Sequence, residues 1–499
     1  MGDEVAVIGA GFSGISAAAY LAKEGHRVHV FEKNPTPGGR ARQLITPDGF
    51  VFDMGPSWYW MPEVFKRFFN DFKYEVSDFY ELQLLDPGFE LVFKNDCLQI
   101  PADFNQLCEM FDSIEKGAAD KLKRFMREAE IKYEFGMKEL VYKPGSSILE
   151  YLNANTIWSG LRINIFSSFR KHVRRYFSDP RLLALMEFPM LFLGAKPNDI
   201  PALYSLMNYA GLKLGTWYPK GGFGRVIDAM KWIAEKYGAN FHFNAPVSGI
   251  LTNNGRAAAL KVNDNRFLVN GVVAAADYHH VEQVLLDENS RNYENDYWHK
   301  KTFAPSSLIF YLGLNKKIGR LQHHTLFFDE DLDQHADDIY STPQWPSRPL
   351  FYVCCPSRSD DSLAPAGHEN IFLLMPLAPG LNDDELMREK YFAQLVKRLE
   401  DFVGEPICPY IVFKKSYCLK DFENDYNAFK GNAYGLANTL SQTAILKPKI
   451  RNHKLKNLFY AGQLTVPGPG VPPSIISGKI AAGLLNKQLQ KKKDEIAVR

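Results

Sequence analysis

The sequence predicts an α/β fold in which a parallel-sheet unit is split by two insertions, one built on a mixed sheet and one helical. Three observations carry that prediction. Val5-Ala-Val-Ile8 followed by Gly9-Ala10-Gly11-Phe12-Ser13-Gly14 reads as strand, glycine turn and helix. Val28-His-Val-Phe31-Glu32 reads as a second buried strand closed by an acid. At the far end, Leu458-Phe-Tyr-Ala-Gly462, a Pro/Gly loop and an apolar helix repeat the strand–turn–helix pattern.

The first unit is justified by its spacing. The apolar run ending at Ile8 suits a buried parallel strand, and Ile15 to Lys23 reads as the helix after the turn. This is a Rossmann-like arrangement, in which a pyrophosphate lies against a helix N-terminus. Gly9 permits the turn, Gly11 lets backbone approach the phosphates, and Gly14 lets helix and strand pack closely. Glu32 closes the second strand eighteen residues after Gly14. A carboxylate there accepts hydrogen bonds from ribose hydroxyls and repels a 2′-phosphate, which disfavours NADP.

Further elements follow in order. Pro62 to Phe69 reads as a helix. A glycine turn at Pro219-Lys-Gly221-Gly222 opens a helix over Arg225 to Tyr237, followed by strands over Asn240–Val247 and Gly271–Ala276, the latter ending at Asp277. These pieces, with the C-terminal run to Leu485, make a discontinuous nucleotide-binding domain of residues 1–85, 217–295 and 416–487. Residues 86–104 and 296–415 form a substrate-binding sheet domain, with strands at Ser307–Gly313 and Asn370–Pro376. Residues 105–216 are helical in pattern, notably Lys116 to Glu139, and 488–499 form a polar tail.

Composition excludes several classes. A formal charge of +2 leaves no basic excess of the kind nucleic-acid binding requires. The six cysteines, at 97, 108, 354, 355, 408 and 418, show no C-x-x-C spacing and read as thiols, not as a disulfide frame or zinc site, so no metal is expected. No run of eighteen apolar residues is present to span a bilayer, and Asp3 and Glu4 ahead of the first strand argue against a signal peptide. The acidic run Asp329–Asp333 reads as a solvated loop, and His279-His280 and His323-His324 as surface or core residues, not bases or ligands.

The C-terminal loop Pro467-Gly-Pro-Gly470-Val471-Pro472-Pro473 leads into a helix expected to begin around Pro473. The positive end of such a helix suits the negative charge that a flavin ring gathers near N1 and O2 on reduction. With the N-terminal turn, it favours a flavin over NAD.

Together with Gly38-Gly39-Arg40, Asp53-Met-Gly55-Pro56-Ser57, Pro219-Lys-Gly-Gly222 and Gly478-Lys479, these motifs resemble the bacterial carotenoid desaturases of the phytoene dehydrogenase family. The resemblance spans the chain. Its most specific parts are the Pro-Gly-x-Gly-Val-Pro loop and Met54-Gly-Pro-Ser-Trp-Tyr-Trp-Met-Pro62. It implies an FAD-binding Rossmann-like domain with an inserted mixed-sheet substrate domain and a helical membrane-facing region. FAD pyrophosphate is implied at Gly9, Ala10, Gly11, Phe12, Ser13 and Gly14, and adenosine ribose at Glu32 with Lys33 beside it. Gly39, Arg40 and Ala41 are implied near the phosphates, and Gly55, Pro56 and Ser57 near the ring. Val247 is implied at the adenine, and Gly462, Gly470, Val471 and Pro472 against pyrophosphate and isoalloxazine.

The implied reaction is phytoene desaturation toward lycopene, by hydride transfer to flavin N5 and loss of a proton from the neighbouring carbon. No residue stands out as proton acceptor. Later-pathway hydroxycarotenoid 3,4-desaturases share the same motifs. An amine oxidase, a polyene isomerase or saturase, or a prenyl-binding escort of the GDP-dissociation-inhibitor type would use a similar scaffold. Oxygen or a membrane quinone is the expected electron acceptor, since no second nicotinamide-binding motif is visible. The C40 substrate calls for a peripheral position on the inner face of the cell membrane, with the protein otherwise cytoplasmic. Ile157–Phe177, which mixes aromatics with Arg162, Arg170, Lys171, Arg174 and Arg175, reads as an interfacial helix or as a domain helix with a basic solvent face. Met186–Leu193 and Pro201–Tyr209 read as tunnel lining or plain core.

Overall fold

The computed structural model describes residues 2–497 apart from 146, 148–149, 151–166, 191–193 and 197. Its nucleotide-type sheet has five parallel strands in the spatial order Leu458–Tyr460, Gly271–Ala274, Glu4–Ile8, Arg27–Phe31 and Asn240–His242. The central strand is buried on both faces, which is why it reads as an unbroken apolar run. Val5 and Val7 pack with Ile15 and Ala18 of the first helix, while Ala6 and Ile8 face Ile250 and Leu260 of a separate three-stranded sheet. That smaller sheet pairs Val247–Asn253, Arg256–Val262 and Asn265–Leu268 in antiparallel order.

A second large sheet has seven strands, ordered Ile411–Tyr417, Ser306–Leu314, Glu369–Leu377, Phe351–Cys354, His324–Phe327, Phe89–Val92 and Cys97–Ile100. It is mixed, because His324–Phe327 runs parallel to Phe89–Val92 while the other pairs are antiparallel. Alternation along Ser306–Leu314 sends Leu308, Phe310 and Leu312 toward helix Glu385–Val403, and Ile309 and Tyr311 into the main core beside Phe52 and Tyr352.

Several boundaries differ from the sequence expectation, each for a local reason. The first helix spans Phe12–Lys23, starting three residues before Ile15, because Gly11 is extended (φ −80°, ψ −178°) and the chain turns directly after it. The expected strand Asn240–Val247 breaks after His242, where Asn244 turns left-handed (φ 51°), and Val247 opens the next sheet. Strand Gly271–Ala274 stops two residues short of Ala276, and Asp277 accepts from the His280 N–H at the start of the next turn. The last helix begins at Val471 and continues through the polar tail to Ala497.

The acidic run 329–333 is not a free loop. Asp331 caps helix Leu332–Tyr340 by accepting from the Asp333 and Gln334 N–H groups, Asp329 pairs with Arg398, and Asp333 pairs with Arg170. Of the cations in the aromatic-basic stretch, Arg170 and Arg174 are paired with Glu187, so they are not a free basic face. Ile157–Phe166 and Leu191–Leu193 lie outside the described residues. Among those described, Met186 and Ala202 are fully buried, and no helix is long and apolar enough to cross a membrane.

Candidate functional site

The parallel strand Glu4–Ile8 delivers the chain to Gly9, whose φ of +100° and close approach to Ala275 require glycine. Gly11 has no side chain with which to cap helix Phe12–Lys23, so the helix presents its first N–H groups, those of Phe12, Ser13 and Gly14, toward the turn. A Cβ on Gly14 would stand 1.9 Å from the Gly9 carbonyl oxygen; this is the close packing its position implied. A second glycine turn closes over the first. Gly38 donates to the Ala10 carbonyl at 2.7 Å, and a Cβ on Gly39 would lie 3.3 Å from Gly11 Cα.

Glu32 is buried and accepts three hydrogen bonds, from the Ala10 N–H at 2.8 Å and from the Asn34 N–H and Nδ2 at 2.9 Å. The carboxylate thereby ties the turn to the second strand and keeps charge at the strand end. Its own N–H and carbonyl bond His242 and Ala245, so Val247 is held two residues from the same corner. Lys33 reaches away, to the Asn424 carbonyl and Asn427 Oδ1.

Arg40 donates to the Asn432 carbonyl at 3.2 Å and stacks 5.0 Å from the Tyr426 ring, and its Nε has no partner. Asp277 Oδ2 is likewise buried and unpartnered. Burial pushes the Asp277 carboxyl up to about 6, with the Arg40 charge opposing. Ala41 donates to Gly38, and Gly55 is so close that a Cβ would sit 2.6 Å from the Arg40 carbonyl oxygen. Past Pro56, Ser57 Oγ lies 2.9 Å from Tyr352 Oη, which lies 2.6 Å from His324 Nδ1. Residues 55–57 therefore bridge the Arg40 turn and the seven-stranded sheet. A cavity between them is lined by Phe52, Asp53, Ser57, Tyr218, His323 and Cys354.

Both histidines of the 323–324 pair are core residues. His324 stacks on Trp58 with ring centres 4.2 Å apart, and burial lowers both imidazoles well below the ordinary histidine range. Their donor atoms and Cys354 Sγ come within 4.8 Å of one another, a proximity that three positions so spaced along the chain did not signal.

The C-terminal half meets the N-terminal half through small residues. Gly462 has a left-handed φ of +114° that disfavours a side chain, a Cβ there would stand 3.4 Å from Ser13 Oγ, and its N–H donates to Ser477 Oγ at 3.0 Å. Ser16 Oγ donates to the Ile475 carbonyl at 2.8 Å, and a Cβ on Gly478 would fall 2.2 Å from the Ser13 carbonyl oxygen. Gly470 (φ +112°) turns the chain into the last helix, where Val471, Pro472 and Pro473 form the first turn and Ser474 donates back to Gly470.

The predicted residues thus converge from both chain ends, except Lys33, which is engaged elsewhere. The unpartnered buried groups Arg40 Nε, Asp277 Oδ2 and Lys447 Nζ, together with the uncapped start of helix Phe12–Lys23, fit an extended, partly anionic cofactor. Sequence reasoning did not single out Asp277 or Lys447 as site groups. A buried position for either depends on packing between distant segments.

A family model described as flavin containing amine oxidoreductase matches residues 12–486. The chain is similar to the carotenoid 3,4-desaturase of Haloarcula japonica, 39% identical over 97% of this chain and 98% of that one. It is also similar to the zeta-carotene-forming phytoene desaturase of Myxococcus xanthus, 30% identical over 96% and 93%. Among solved structures, an oxidoreductase from Methanosarcina mazei shares the fold, with a TM-score of 0.61, 18% identity, and coverage of 95% of this chain and 99% of that one. The chain belongs to the flavin containing amine oxidoreductase family and, within it, to the carotenoid desaturases, with FAD as its cofactor.

Proposed function

We propose that this carotenoid desaturase introduces a 3,4 double bond at the end of an already conjugated C40 polyene. The observation that carries this choice is the 39% identity to the carotenoid 3,4-desaturase across nearly the whole of both chains, against 30% for the phytoene desaturase.

The cofactor assignment is ours as well. Gly9 to Gly14 receive the pyrophosphate, Glu32 the ribose and Val247 the adenine side. Arg40 faces the phosphates with its free Nε, while Gly55–Ser57 and Gly470–Pro472 flank the ring. When bound, the flavin supplies a two-electron acceptor for hydride. The chain's part is to place an unactivated C–C unit against it and exclude water. The aromatic wall of half-buried Trp58 with buried Phe372 and Tyr352, beside Ser57, suits a hydrocarbon substrate. Substrate entry from a membrane surface on the cytoplasmic side, and flavin reoxidation by oxygen or a quinone, complete the proposal.

The test presents FAD-loaded protein with vesicles carrying either phytoene, lycopene or a 1-hydroxylated carotenoid, and follows products by absorbance and mass. Loss of two mass units with lengthened conjugation from a preformed polyene, and none from phytoene, is the expected result. Turnover of phytoene alone would replace this reading by phytoene desaturation.

A further inference from the structure

We infer that Lys447 is the counter-charge for the pyrimidine edge of the reduced flavin, holding its ammonium beneath the C-terminal Pro/Gly loop. The inference rests on the assignment of Gly462 and Gly470–Pro472 to the cofactor.

Lys447 is 2% exposed, and its Nζ has no hydrogen-bond or ion-pair partner among the described residues. Several other buried charges are compensated: Glu90 by Arg320, Arg388 by Asp383 and Asp421, Glu187 by Arg170 and Arg174. Lys447 has no such acid, and the charge that acts on it is that of Lys301, which has the same sign. Burial and Lys301 pull the amine down to about 7 in the chain alone. A buried, unpaired ammonium is strongly disfavoured unless an anion arrives from outside the chain.

The position of the amine identifies that anion. Gly468 is left-handed (φ +137°), and a Cβ there would lie 3.2 Å from Lys447 Cε and 3.4 Å from Nζ. Thr465 Oγ1 donates to the Pro448 carbonyl at 2.6 Å, tying the residue after Lys447 to the start of the loop. The loop begins at Gly462, against Ser13 and the turn assigned to the pyrophosphate, and ends at Gly470, where the last helix opens. Gly468 stands two residues before Gly470, so on that assignment it lies on the ring side. There the ammonium and the positive helix terminus act on one site. The pyrophosphate is anionic in both redox states, whereas the pyrimidine edge gains its charge on reduction. A cation on the ring side therefore favours the reduced flavin and raises its potential.

The full-length FAD-loaded protein and its Lys447→Met and Lys447→Arg variants distinguish the possibilities. The readouts are flavin midpoint potential by dye-linked reduction, FAD affinity by fluorescence, and thermal unfolding of the FAD-free chain. Lys447→Met is expected to lose at least tenfold in preference for reduced over oxidised flavin, a fall of about 30 mV for a two-electron couple. FAD affinity should stay within threefold, the FAD-free variant should be no less stable than the parent, and Lys447→Arg should restore the potential. A Lys447→Met protein that holds FAD at the parent potential overturns the inference. So does lost affinity with unchanged potential, which would move the amine to the pyrophosphate. If Gly470→Leu leaves FAD affinity unchanged, the loop assignment itself fails.

Discussion

Gly478→Ala tests whether the two ends of the chain build one site. A Cβ at 478 would stand 2.2 Å from the Ser13 carbonyl oxygen, 2.8 Å from Ser16 Cβ and 2.9 Å from the Ala17 nitrogen. None of these atoms can rotate away, so the last helix must retreat from the first by about 1 Å to recover ordinary contact distances. Overpacking of this kind costs about 1–3 kcal/mol, and weakening the Ser16–Ile475 hydrogen bond adds about 1 kcal/mol. A total near 3 kcal/mol follows. The retreat also draws Gly462 from Ser13, across the gap assigned to the pyrophosphate. If half of the cost falls on the bound state, FAD affinity drops about tenfold. Fluorescence titration of FAD-free protein measures this, with thermal unfolding alongside. Gly483→Ala is the matched control, since it lies on the same helix with nothing within 4 Å of its Cβ. It should gain up to about 1 kcal/mol from helix propensity and bind FAD normally. Parental affinity and unfolding temperature in Gly478→Ala would refute the helix contact as drawn.

Two further outcomes are expected. Glu32→Lys loses the acceptor for the Ala10 and Asn34 N–H groups and reverses the charge assigned to the ribose, so FAD retention should fall at least tenfold, read as flavin per protein after gel filtration. Asp277 titrates near 6 in the folded chain, above its unfolded value. The fold then binds more protons than the unfolded chain between about pH 4 and 6, and stability falls as pH rises through that window, by at most about 3 kcal/mol. Asp277→Asn keeps the turn-capping geometry and should flatten that slope in the FAD-free protein; an unchanged denaturation profile from pH 4 to 6 would contradict the burial account.

The legible part of the site was the part encoded locally. Gly9, Gly11 and Gly14 lie within one turn, and Glu32 closes the strand beside them, so spacing alone was enough to place them in the fold. Helix starts were misjudged where glycine or proline did the work. Phe12 and Val471 begin helices behind Gly11 and Gly470, without the polar caps that usually announce a start. The burial of Asp277 within reach of the Arg40 charge, the seat of Lys447 under Gly468 and the meeting of Gly478 with Ser13 were beyond a linear reading. The first and last depend on how segments hundreds of residues apart pack, and the second on a loop that returns over Lys447 only 21 residues later. The acidic residues 329–333 show the converse: their composition suggested solvent, and their partners, Arg398 and Arg170, lie far along the chain.

The parallel sheet receives its edge strand Leu458–Tyr460 only after some 430 residues have followed strand Arg27–Phe31. At about 5–20 residues per second, a nascent chain spends roughly 20–90 s with Gly271–Ala274 or its predecessor strands lacking a neighbour, and with the first helix unopposed. On the assignment proposed for Gly462 and Gly470–Pro472, cofactor capture is a late event in biosynthesis. Chains that stall or are cut before Gly478 should emerge colourless and sticky, and the yellow of bound flavin becomes a record that synthesis reached its final helix.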